Sequence, residues 1–244
     1  MPVSDVTVVL LAGGQGTRIR ALYPDSPKPM VPVAGRPFLH WVTAYFAGHG
    51  LRRFVYSTGY RSEQIEEWCS DGSMPGLVRE VCREETPLGT GGGLLNCLEK
   101  CGPWILAANA DSLCLGGIPE LLSRTDLRGV AGAIIGVLTD DASRYGTLDF
   151  DSAGRLKAFR EKVPGKGYVN AGLYLFRTDT LSGFRSDQPS SIERDIIPNL
   201  LDHGAAIDVV QLAEVPFIDI GTPDTVVAAE SFVLTHKGHF TWSG

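Results

Sequence analysis

Val6-Thr7-Val8-Val9-Leu10-Leu11-Ala12 runs directly into Gly13-Gly14-Gln15-Gly16-Thr17-Arg18, and this junction decides the fold. A continuous apolar run with many β-branched residues is typical of a strand buried on both faces, as in a parallel sheet. Glycines at the carboxyl end of such a strand let the backbone approach a ligand, and successive N–H groups can cradle phosphate. A tight turn without a ligand is the alternative for the loop taken alone.

Strand-like and helix-like segments alternate along the first half of the chain. The predicted strands cover residues 6–12, 54–58, 77–83 and 104–108, and the predicted helices cover 38–46, 62–68, 91–100 and 118–124. Ser62 is the expected cap of the second helix. This alternation predicts an α/β fold, a Rossmann-like three-layer αβα sandwich around a mixed, mostly parallel central sheet.

The pattern changes in the second half, where strands predominate. Strands are expected at 129–138, 168–176, 207–211 and 217–220, with a hairpin of 147–150 and 155–160. The capping-box spacing of Ser190 and Glu193 predicts a helix to Leu201, and Pro223 opens a final helix to about Thr235. We expect one domain, 1–244, in which about 1–125 form one part and about 126–244 a small β-rich subdomain and closing helix.

The composition is that of an ordinary globular protein, with 244 residues of which 43% are hydrophobic and 20% charged. A net charge of −6 argues against a nucleic-acid partner, because phosphate-backbone binding requires clustered Lys and Arg. No run approaches the roughly 18 apolar residues of a membrane span, and no signal peptide is visible. The five cysteines lack zinc-site spacing, which indicates reduced thiols. The expectation is a cytoplasmic protein that binds neither nucleic acid nor membrane.

Lys28 strengthens the case for a phosphate site. The glycine loop fits neither the dinucleotide-binding pattern G-x-G-x-x-G nor the P-loop pattern. Ten residues after Arg18, however, Lys28 stands between Pro27 and Pro29. Two prolines restrict the backbone, so the ammonium group can be aimed with less loss of entropy. The alternative is a solvated lysine in a proline-rich turn.

Together, these motifs resemble the nucleoside-triphosphate transferase family of sugar-1-phosphate nucleotidyltransferases. Further motifs resemble the family at Pro87-Leu88-Gly89-Thr90-Gly91-Gly92, Asn109-Ala110-Asp111, Tyr145-Gly146, Glu161-Lys162, Val169-Asn170-Ala171-Gly172 and Asp219-Ile220-Gly221-Thr222. The resemblance covers roughly residues 6–230 and implies a GT-A-like fold with the β-rich subdomain on the sugar side. Ala110 stands where a glycine is usual, and Gly91-Gly92 where many members have Ala-Gly.

The resemblance implies a role for each matching position. Arg18, Lys28 and Lys162 are the expected catalytic cations, and Asp111 and Asp219 the expected Mg²⁺ ligands. The expected nucleotide contacts are Leu11, Ala12, Gly13, Gly14, Gly16, Thr17, Glu85, Pro87, Gly89, Thr90 and Asn109. The expected sugar contacts are Tyr145, Gly146, Glu161, Asn170 and Gly172. The expected partners are a nucleoside triphosphate and a sugar 1-phosphate, and a homodimer is the assembly to test.

Simpler interpretations stand beside several of these roles. Asp111 could cap the next helix, Asp219 could form an Asx turn before Gly221, and Glu161 and Asn170 could be structural. A non-catalytic nucleotide-sugar sensor of the same fold is an alternative for the whole chain. Loss of the arginine, the lysine or a metal aspartate would mark such a sensor, but this sequence retains all of them.

The identity of the base is suggested by two acidic residues. A carboxylate can accept hydrogen bonds from both N1–H and the exocyclic amine of guanine, whereas uracil and thymine offer one N–H. Glu84 and Glu85, before Pro87-Leu88-Gly89-Thr90, resemble guanylyltransferase members. The Gly89-Thr90-Gly91-Gly92 form, with the short chain and the spacing of Asp25-Ser26-Pro27-Lys28-Pro29-Met30, most resembles the D-glycero-D-manno-heptose 1-phosphate guanylyltransferases. The alternative for Glu84 and Glu85 is a solvated acidic strand end. Mannose 1-phosphate is the alternative sugar, and UTP, CTP or dTTP is the alternative nucleotide.

Overall fold

The computed structural model describes residues 3–14, 16, 19, 22–126, 129–143, 146–161 and 164–242. The strands are β1 (Val6–Ala12), β2 (Pro32–Val33), β3 (Arg36–Pro37), β4 (Arg53–Thr58), β5 (Val78–Arg83), β6 (Trp104–Asn109), β7 (Ser112–Cys114), β8 (Val130–Thr139), β9 (Gly146–Phe150), β10 (Leu156–Glu161), β11 (Gly167–Arg177), β12 (Ala206–Leu212) and β13 (Phe217–Asp219). The helices are α1 (Phe38–Gly48), α2 (Ser62–Ser70), α3 (Gly89–Asn96), α4 (Ile118–Leu122), α5 (Thr178–Leu181), α6 (Ile197–Asp202) and α7 (Pro223–Thr235). Across these described ranges, no helix is long and apolar enough to cross a bilayer.

Among the described strands, nine form one sheet with the order β10-β9-β11-β6-β1-β4-β5, and β8 pairs with both β11 and β12. β1 lies between β4 and β6 and runs parallel to both, and β4 is parallel to β5. β11 is antiparallel to β6 and to β8, and β9 and β10 form the predicted antiparallel hairpin. The sheet is therefore parallel where the chain begins and mixed beyond β6.

The side chains of β1 divide the core between the two faces of the sheet. Val8 and Leu10 belong to a cluster with residues of α1, α2, α4 and α7. Val9 belongs to a second cluster, with residues of α3, α5 and α6. Successive side chains of a strand point to opposite faces, so helices cover both sides of the sheet. The predicted αβα sandwich around a mixed sheet is confirmed.

The last helix begins and ends where its local sequence predicts. The Thr222 hydroxyl accepts from the N–H of Thr225, and the Thr225 hydroxyl accepts from the N–H of Thr222, which forms a capping box. Pro223 occupies the first turn, where its missing N–H costs nothing. Val226 and Val233 of this helix are buried, and each such burial contributes about 1.5–3 kcal/mol.

The predicted cap of α2 is wrong. The cap position is Arg61, whose φ of 57° is left-handed, and no side chain caps the helix. Ser62 is instead buried, with its hydroxyl 2.6 Å from Glu66 Oε1 and 2.9 Å from the Thr58 hydroxyl. The hydroxyl that could have capped the helix is used to tie it to the end of β4.

The capping box predicted at Ser190 is wrong by one residue. Ser191 is the cap, and its hydroxyl accepts from the N–H of Glu193 and of the following residue. The first turn, Ile192–Ile196, is π-helical, and the Asp195 carboxylate accepts from the N–H of Ser191 at 2.7 Å. In this wider turn the reciprocal partner lies four residues after the cap instead of three.

The helix predicted over 91–100 is both earlier and shorter. α3 begins at Gly89, where φ is +71°, and ends at Asn96. A separate 3₁₀ turn, Leu98–Lys100, follows. The early start depends on contacts with residues 188–191 that local sequence does not reveal.

Candidate active site

The carboxyl ends of β1, β4 and β6 meet at one edge of the sheet. Ala12 is in register with Thr58, and Leu11 with Asn109. The N–H of Ala110 donates to the Leu11 carbonyl at 3.1 Å, which continues the pairing beyond β6. Three of the predicted nucleotide contacts, Leu11, Ala12 and Asn109, therefore lie together where the glycine loop leaves the sheet.

Glu84 is a buried acid at this edge, with only 8% of the residue exposed. Its carboxylate accepts from the Ser57 hydroxyl at 2.8 Å and from the Leu88 N–H at 3.0 Å. A Cβ added at Gly13 would lie 2.6 Å from Glu84 Oε1, and one added at Gly93 would lie 2.7 Å from the same atom. The two glycines thus make room for a carboxylate that connects the glycine loop to α3.

The outcome differs between the two neighbouring acids. Glu85, the predicted nucleotide contact, is exposed. Glu84 is buried, so a solvated strand end is the wrong description of it. The hydrogen bonds that Glu84 accepts from Ser57 and Leu88 could not be predicted, because neighbouring glutamates carry no sequence signal that separates them. Only the glycines at 13 and 93, distant in sequence, reflect the close approach.

The glycines at the start of α3 pack against the segment that precedes the π-helical turn. The N–H of Gly91 donates to the Ser190 carbonyl at 2.8 Å, and the N–H of Ser190 donates to the Leu88 carbonyl at 2.9 Å. An alanine at Gly91, usual in many family members, would place its Cβ 2.6 Å from the Ser190 hydroxyl oxygen. The departure from the family pattern at Gly91 therefore has a local steric reason.

Lys28 lies beside the glycine loop. Pro27 is extended, with φ −66° and ψ 147°, and Pro29 is buried in the short 3₁₀ turn that follows. A Cβ added at Gly16, whose φ is +55°, would lie 3.0 Å from the Lys28 Cβ. The Lys28 side chain is only 14% exposed, and its ammonium group pairs with the Asp111 carboxylate. The alternative of a solvated lysine is wrong.

The two predicted metal aspartates are brought together by the β7–β13 ladder. Asp219 is in register with Ser112, and the N–H of Ile220 donates to the Asp111 carbonyl at 3.0 Å. Asp219 Oδ1 accepts from the N–H of Gly221 at 2.7 Å, so the Asx turn weighed for this residue is present. Asp111 caps no helix, because β7 follows it directly.

A cavity of about 1220 Å³ opens between the start of α3, the β9–β10 hairpin and the π-helical turn. The cavity is lined by Gly89 and Thr90, predicted on the nucleotide side, and by Gly146 and Asn170, predicted on the sugar side.

Gly172, a predicted sugar contact, lies where the β8–β11 register shifts. Its φ is +70°, and an added Cβ would lie 2.8 Å from the Asn109 amide nitrogen.

Asn170 is held by Tyr174 and Glu193, whose contacts at this site no sequence motif indicates. Its amide nitrogen donates to the Tyr174 hydroxyl at 2.7 Å, and that hydroxyl donates to the Glu193 carboxylate at 2.5 Å. Burial, with a further contribution from Glu193, raises the pKa of Tyr174 well above its ordinary value, so the phenol stays protonated. A β-strand tyrosine is normally interpreted as core packing, which hides this arrangement from sequence.

A family model for nucleotidyl transferases matches residues 7–236. The chain belongs to the nucleotidyl transferase family. It is 33% identical over 232 residues to a mannose-1-phosphate guanylyltransferase of Mycobacterium tuberculosis, covering 93% of this chain and 64% of that protein. It is 30% identical over 217 residues to a D-glycero-α-D-manno-heptose 1-phosphate guanylyltransferase of Campylobacter jejuni, covering 88% of this chain and 95% of that protein.

A solved structure extends the match to three dimensions. The crystal structure of HddC from Yersinia pseudotuberculosis complexed with GMP-PN has a TM-score of 0.78 at 29% identity, covering 92% of this chain and 98% of that one. The predicted enzyme class, sugar-1-phosphate nucleotidyltransferase, is confirmed by the family match and these relatives. The chain spans 64% of the length of the mycobacterial relative.

The predicted site includes four residues outside the ranges that the structure describes. Thr17, Arg18, Tyr145 and Lys162 lie outside the described residues. Glu161 is the last residue of β10. Their assignments remain predictions, as does the division of the chain near residue 125.

The donor set at Asp111 and Asp219 fits a divalent cation that is bound partly by its substrates. The Asp111 carboxylate already holds a cation, the Lys28 ammonium group, and Asp219 is exposed with a second carboxylate oxygen beyond the one in the Asx turn. The described residues contain no group of three or more His, Cys, Asp or Glu that could hold a metal alone. Mg²⁺ commonly takes one or two carboxylates plus phosphate oxygens and water, so these two aspartates suffice.

We predict that Gly13→Ala destabilises the protein whereas Gly14→Ala does not. The first substitution forces a Cβ into the Glu84 carboxylate, while a Cβ at Gly14 would meet nothing within 4 Å. Overpacking of this kind costs about 1–3 kcal/mol, which lowers Tm by roughly 3–10 °C in a chain of this size. Thermal unfolding of the ligand-free proteins measures the difference. Equal Tm values for the two variants would contradict the contact between Gly13 and Glu84.

Proposed function

We propose that this protein transfers a guanylyl group from GTP to a sugar 1-phosphate, giving a GDP-sugar and pyrophosphate. The observation that carries the proposal is the Lys28–Asp111 ion pair beside Gly16, at the edge where β1 and β6 end. A cation and a carboxylate in contact with a glycine loop are suited to a polyphosphate and its metal ion. The names of the two guanylyltransferase relatives support the choice of base.

The reaction needs no protein nucleophile. An oxygen of the sugar 1-phosphate attacks the α-phosphorus of GTP, and the bond to the bridging oxygen of pyrophosphate breaks. A phosphate monoester has its second pKa near 6, so the attacking oxygen is already anionic at neutral pH. The task of the enzyme is to bring two polyanions into line and to neutralise charge as it develops.

Lys28 is the residue placed to do this at the transferring phosphate. Its low exposure limits the motion of the ammonium group, and the turn between Pro27 and Pro29 restricts its backbone. Arg18 is proposed to stabilise the departing pyrophosphate, and Lys162 to hold the sugar phosphate. Asp111 and Asp219 would hold Mg²⁺, which supplies positive charge to the phosphate oxygens when bound.

Guanine specificity is assigned to the acidic end of β5. Glu85 is exposed there and can accept from N1–H and the exocyclic amine of guanine together. Glu84 has a different task, since its oxygens already accept from Ser57 and Leu88. Glu84 thus holds the segment that leads into α3, while Glu85 is proposed to contact the base itself.

The proposed sugar is D-glycero-D-manno-heptose 1-phosphate, supported by the Campylobacter relative, 95% of which is covered by the match. Mannose 1-phosphate is the second candidate, supported by the mycobacterial relative. Both sugars share the manno configuration and differ at the end remote from the phosphate. Asn170 and Gly146, with Tyr145, Glu161 and Gly172, are the proposed sugar contacts.

We predict that the protein releases pyrophosphate fastest from GTP with a manno-configured sugar 1-phosphate. A panel of GTP, UTP, CTP and dTTP, each with heptose, mannose and glucose 1-phosphates, measures this by coupled pyrophosphate detection. Greater activity with UTP or dTTP would refute the guanylyl assignment. A complete absence of Mg²⁺-dependent pyrophosphate release would favour the non-catalytic sensor instead.

We predict that Lys28→Ala lowers kcat by about 10²–10³-fold, the loss typical of removing one group that stabilises charge in the transition state. Lys100→Ala serves as the matched control, because Lys100 pairs with Glu80 and precedes β6, away from the carboxyl edge. Steady-state kinetics and thermal unfolding are measured on both variants. Near-normal turnover in a folded Lys28→Ala protein would show that Lys28 does not stabilise the transferring phosphate.

We predict that Asp219→Asn raises the Mg²⁺ concentration for half-maximal activity roughly tenfold or more, since a neutral amide is a poorer ligand for a hard cation. The asparagine oxygen can still accept the Gly221 N–H, so Tm without metal should stay near that of the wild type. Asp219→Ala, the comparison, loses the turn as well as the charge. If Asp219→Asn keeps the wild-type Mg²⁺ dependence while Asp219→Ala fails, Asp219 is structural.

A further inference from the structure

Asn170 lies at the end of a chain of hydrogen bonds that starts at a carboxylate. Its amide nitrogen donates to the hydroxyl of Tyr174, which is 1% exposed, and that hydroxyl donates to Glu193 Oε1. Asn170 and Glu193 both line the large cavity, whereas Tyr174 connects them from within the core. These hydrogen bonds therefore join two walls of the large cavity.

The Glu193 carboxylate is held from its other side as well. Its Oε2 accepts from the Ser191 hydroxyl at 2.7 Å and from the Thr90 hydroxyl at 3.3 Å. The Thr90 hydroxyl in turn accepts from the N–H of Ile192 at 3.0 Å. The start of α3 and the π-helical turn thus fix the carboxylate between them. A carboxylate with three hydroxyl donors has little freedom to rotate.

The direction of each hydrogen bond in this chain is determined by chemistry. The Tyr174 hydroxyl has one proton, and it donates that proton to the Glu193 carboxylate. The tyrosine oxygen can then only accept from Asn170, which places the amide nitrogen, and not the amide oxygen, on that side. Asn170 Oδ1 faces the opposite way and accepts from the N–H of Gly172 at 2.8 Å. Glu193 thereby dictates the orientation of an amide that it does not touch.

The amide has capacity left for a ligand. One of its two N–H groups and one of its two oxygen lone pairs are engaged by Tyr174 and Gly172. Within the described residues, the second N–H and the second lone pair are not engaged. One donor and one acceptor on the same planar group match two neighbouring hydroxyls of a pyranose ring, one accepting and one donating.

We propose that Tyr174 and Glu193 are positioning residues that orient the Asn170 amide, so that it selects the sugar 1-phosphate by the configuration of two adjacent hydroxyls. The inference rests on the proposed function. It extends that function by assigning Tyr174 and Glu193, which are not among the predicted site residues, to sugar selectivity. Removing the tyrosine hydroxyl leaves the amide held only through its oxygen, by the Gly172 N–H, so the nitrogen end can move away from the position that suits the sugar.

The test compares Tyr174→Phe and Glu193→Gln with Tyr56→Phe, using GTP with mannose 1-phosphate and with its C2 epimer glucose 1-phosphate. Tyr56 is the matched control, because it is also a buried strand tyrosine whose hydroxyl lies 3.1 Å from one side-chain partner, Thr43, but it belongs to the other core cluster. We expect Tyr174→Phe to raise KM for the preferred sugar 1-phosphate and to reduce the ratio of kcat/KM between the epimers, each about tenfold.

The other measurements separate positioning from stability. KM for GTP should stay within about twofold of the wild type in Tyr174→Phe, because a positioning residue for the sugar does not affect uniform nucleotide binding. Glu193→Gln should also reduce epimer selectivity. A carboxamide can donate a hydrogen bond as well as accept one, so it no longer dictates which way the Tyr174 and Asn170 hydrogen bonds run. Tyr56→Phe should lose a similar amount of Tm and keep the wild-type selectivity.

A double-mutant cycle with Asn170→Ala tests whether Tyr174 acts through the amide. If it does, Tyr174→Phe has no further effect on epimer selectivity in the Asn170→Ala background. Wild-type selectivity in Tyr174→Phe, or an equal loss in Tyr56→Phe, overturns the inference and leaves the proposed function standing. A wild-type protein that neither turns over nor binds any sugar 1-phosphate by calorimetry overturns both.

Discussion

Parallel pairing of β1 with β4 and β6 brings three strand ends to one edge of the sheet, and every candidate group near the triphosphate depends on that pairing. The loop after β1 leaves the sheet at Gly13, against the carboxylate that follows β5. The aspartate that follows β6 meets Lys28, and the β7–β13 ladder brings Asp219 to the same place. Backbone hydrogen bonds in the central sheet and in the separate two-stranded β7–β13 sheet thus position side chains as far apart in the sequence as Lys28 and Asp219.

The net charge of the protein is −6, and both proposed substrates are polyanions. Positive charge must therefore be concentrated at the site itself. The pairing of Lys28 with Asp111 gives a partly buried ammonium group and a carboxylate a partner before any ligand arrives. Burying either charge alone would be costly, and the ion pair gives each group an opposite charge as its partner. A phosphate oxygen and a divalent cation can replace the two halves of the pair without leaving a charge unmatched.

The parts of the fold that follow from local sequence could be predicted well. β1 is a run of apolar residues, and α7 carries its own capping box and proline, so neighbours in sequence determine both. The early start of α3 could not be predicted, because it depends on contact with a segment about a hundred residues later in the sequence. The cap near residue 191 was displaced by one residue, because the turn after it is π-helical and its reciprocal partner is Asp195. At the site, motif spacing identified Lys28, while the burial of Glu84 depends on glycines at 13 and 93 that the chain brings to it only on folding.

The same dependence on distant contacts links the two halves of the site. The glycines at 89 and 91 let α3 approach Ser190 closely, and this approach places the Thr90 hydroxyl against Glu193. Glu193 in turn fixes Tyr174, and through it Asn170 on the opposite wall of the cavity. A motif that family resemblance assigns to the base is therefore also a structural support for the sugar side. Small residues are needed there for the packing behind the cavity, whatever contact they make with a ligand.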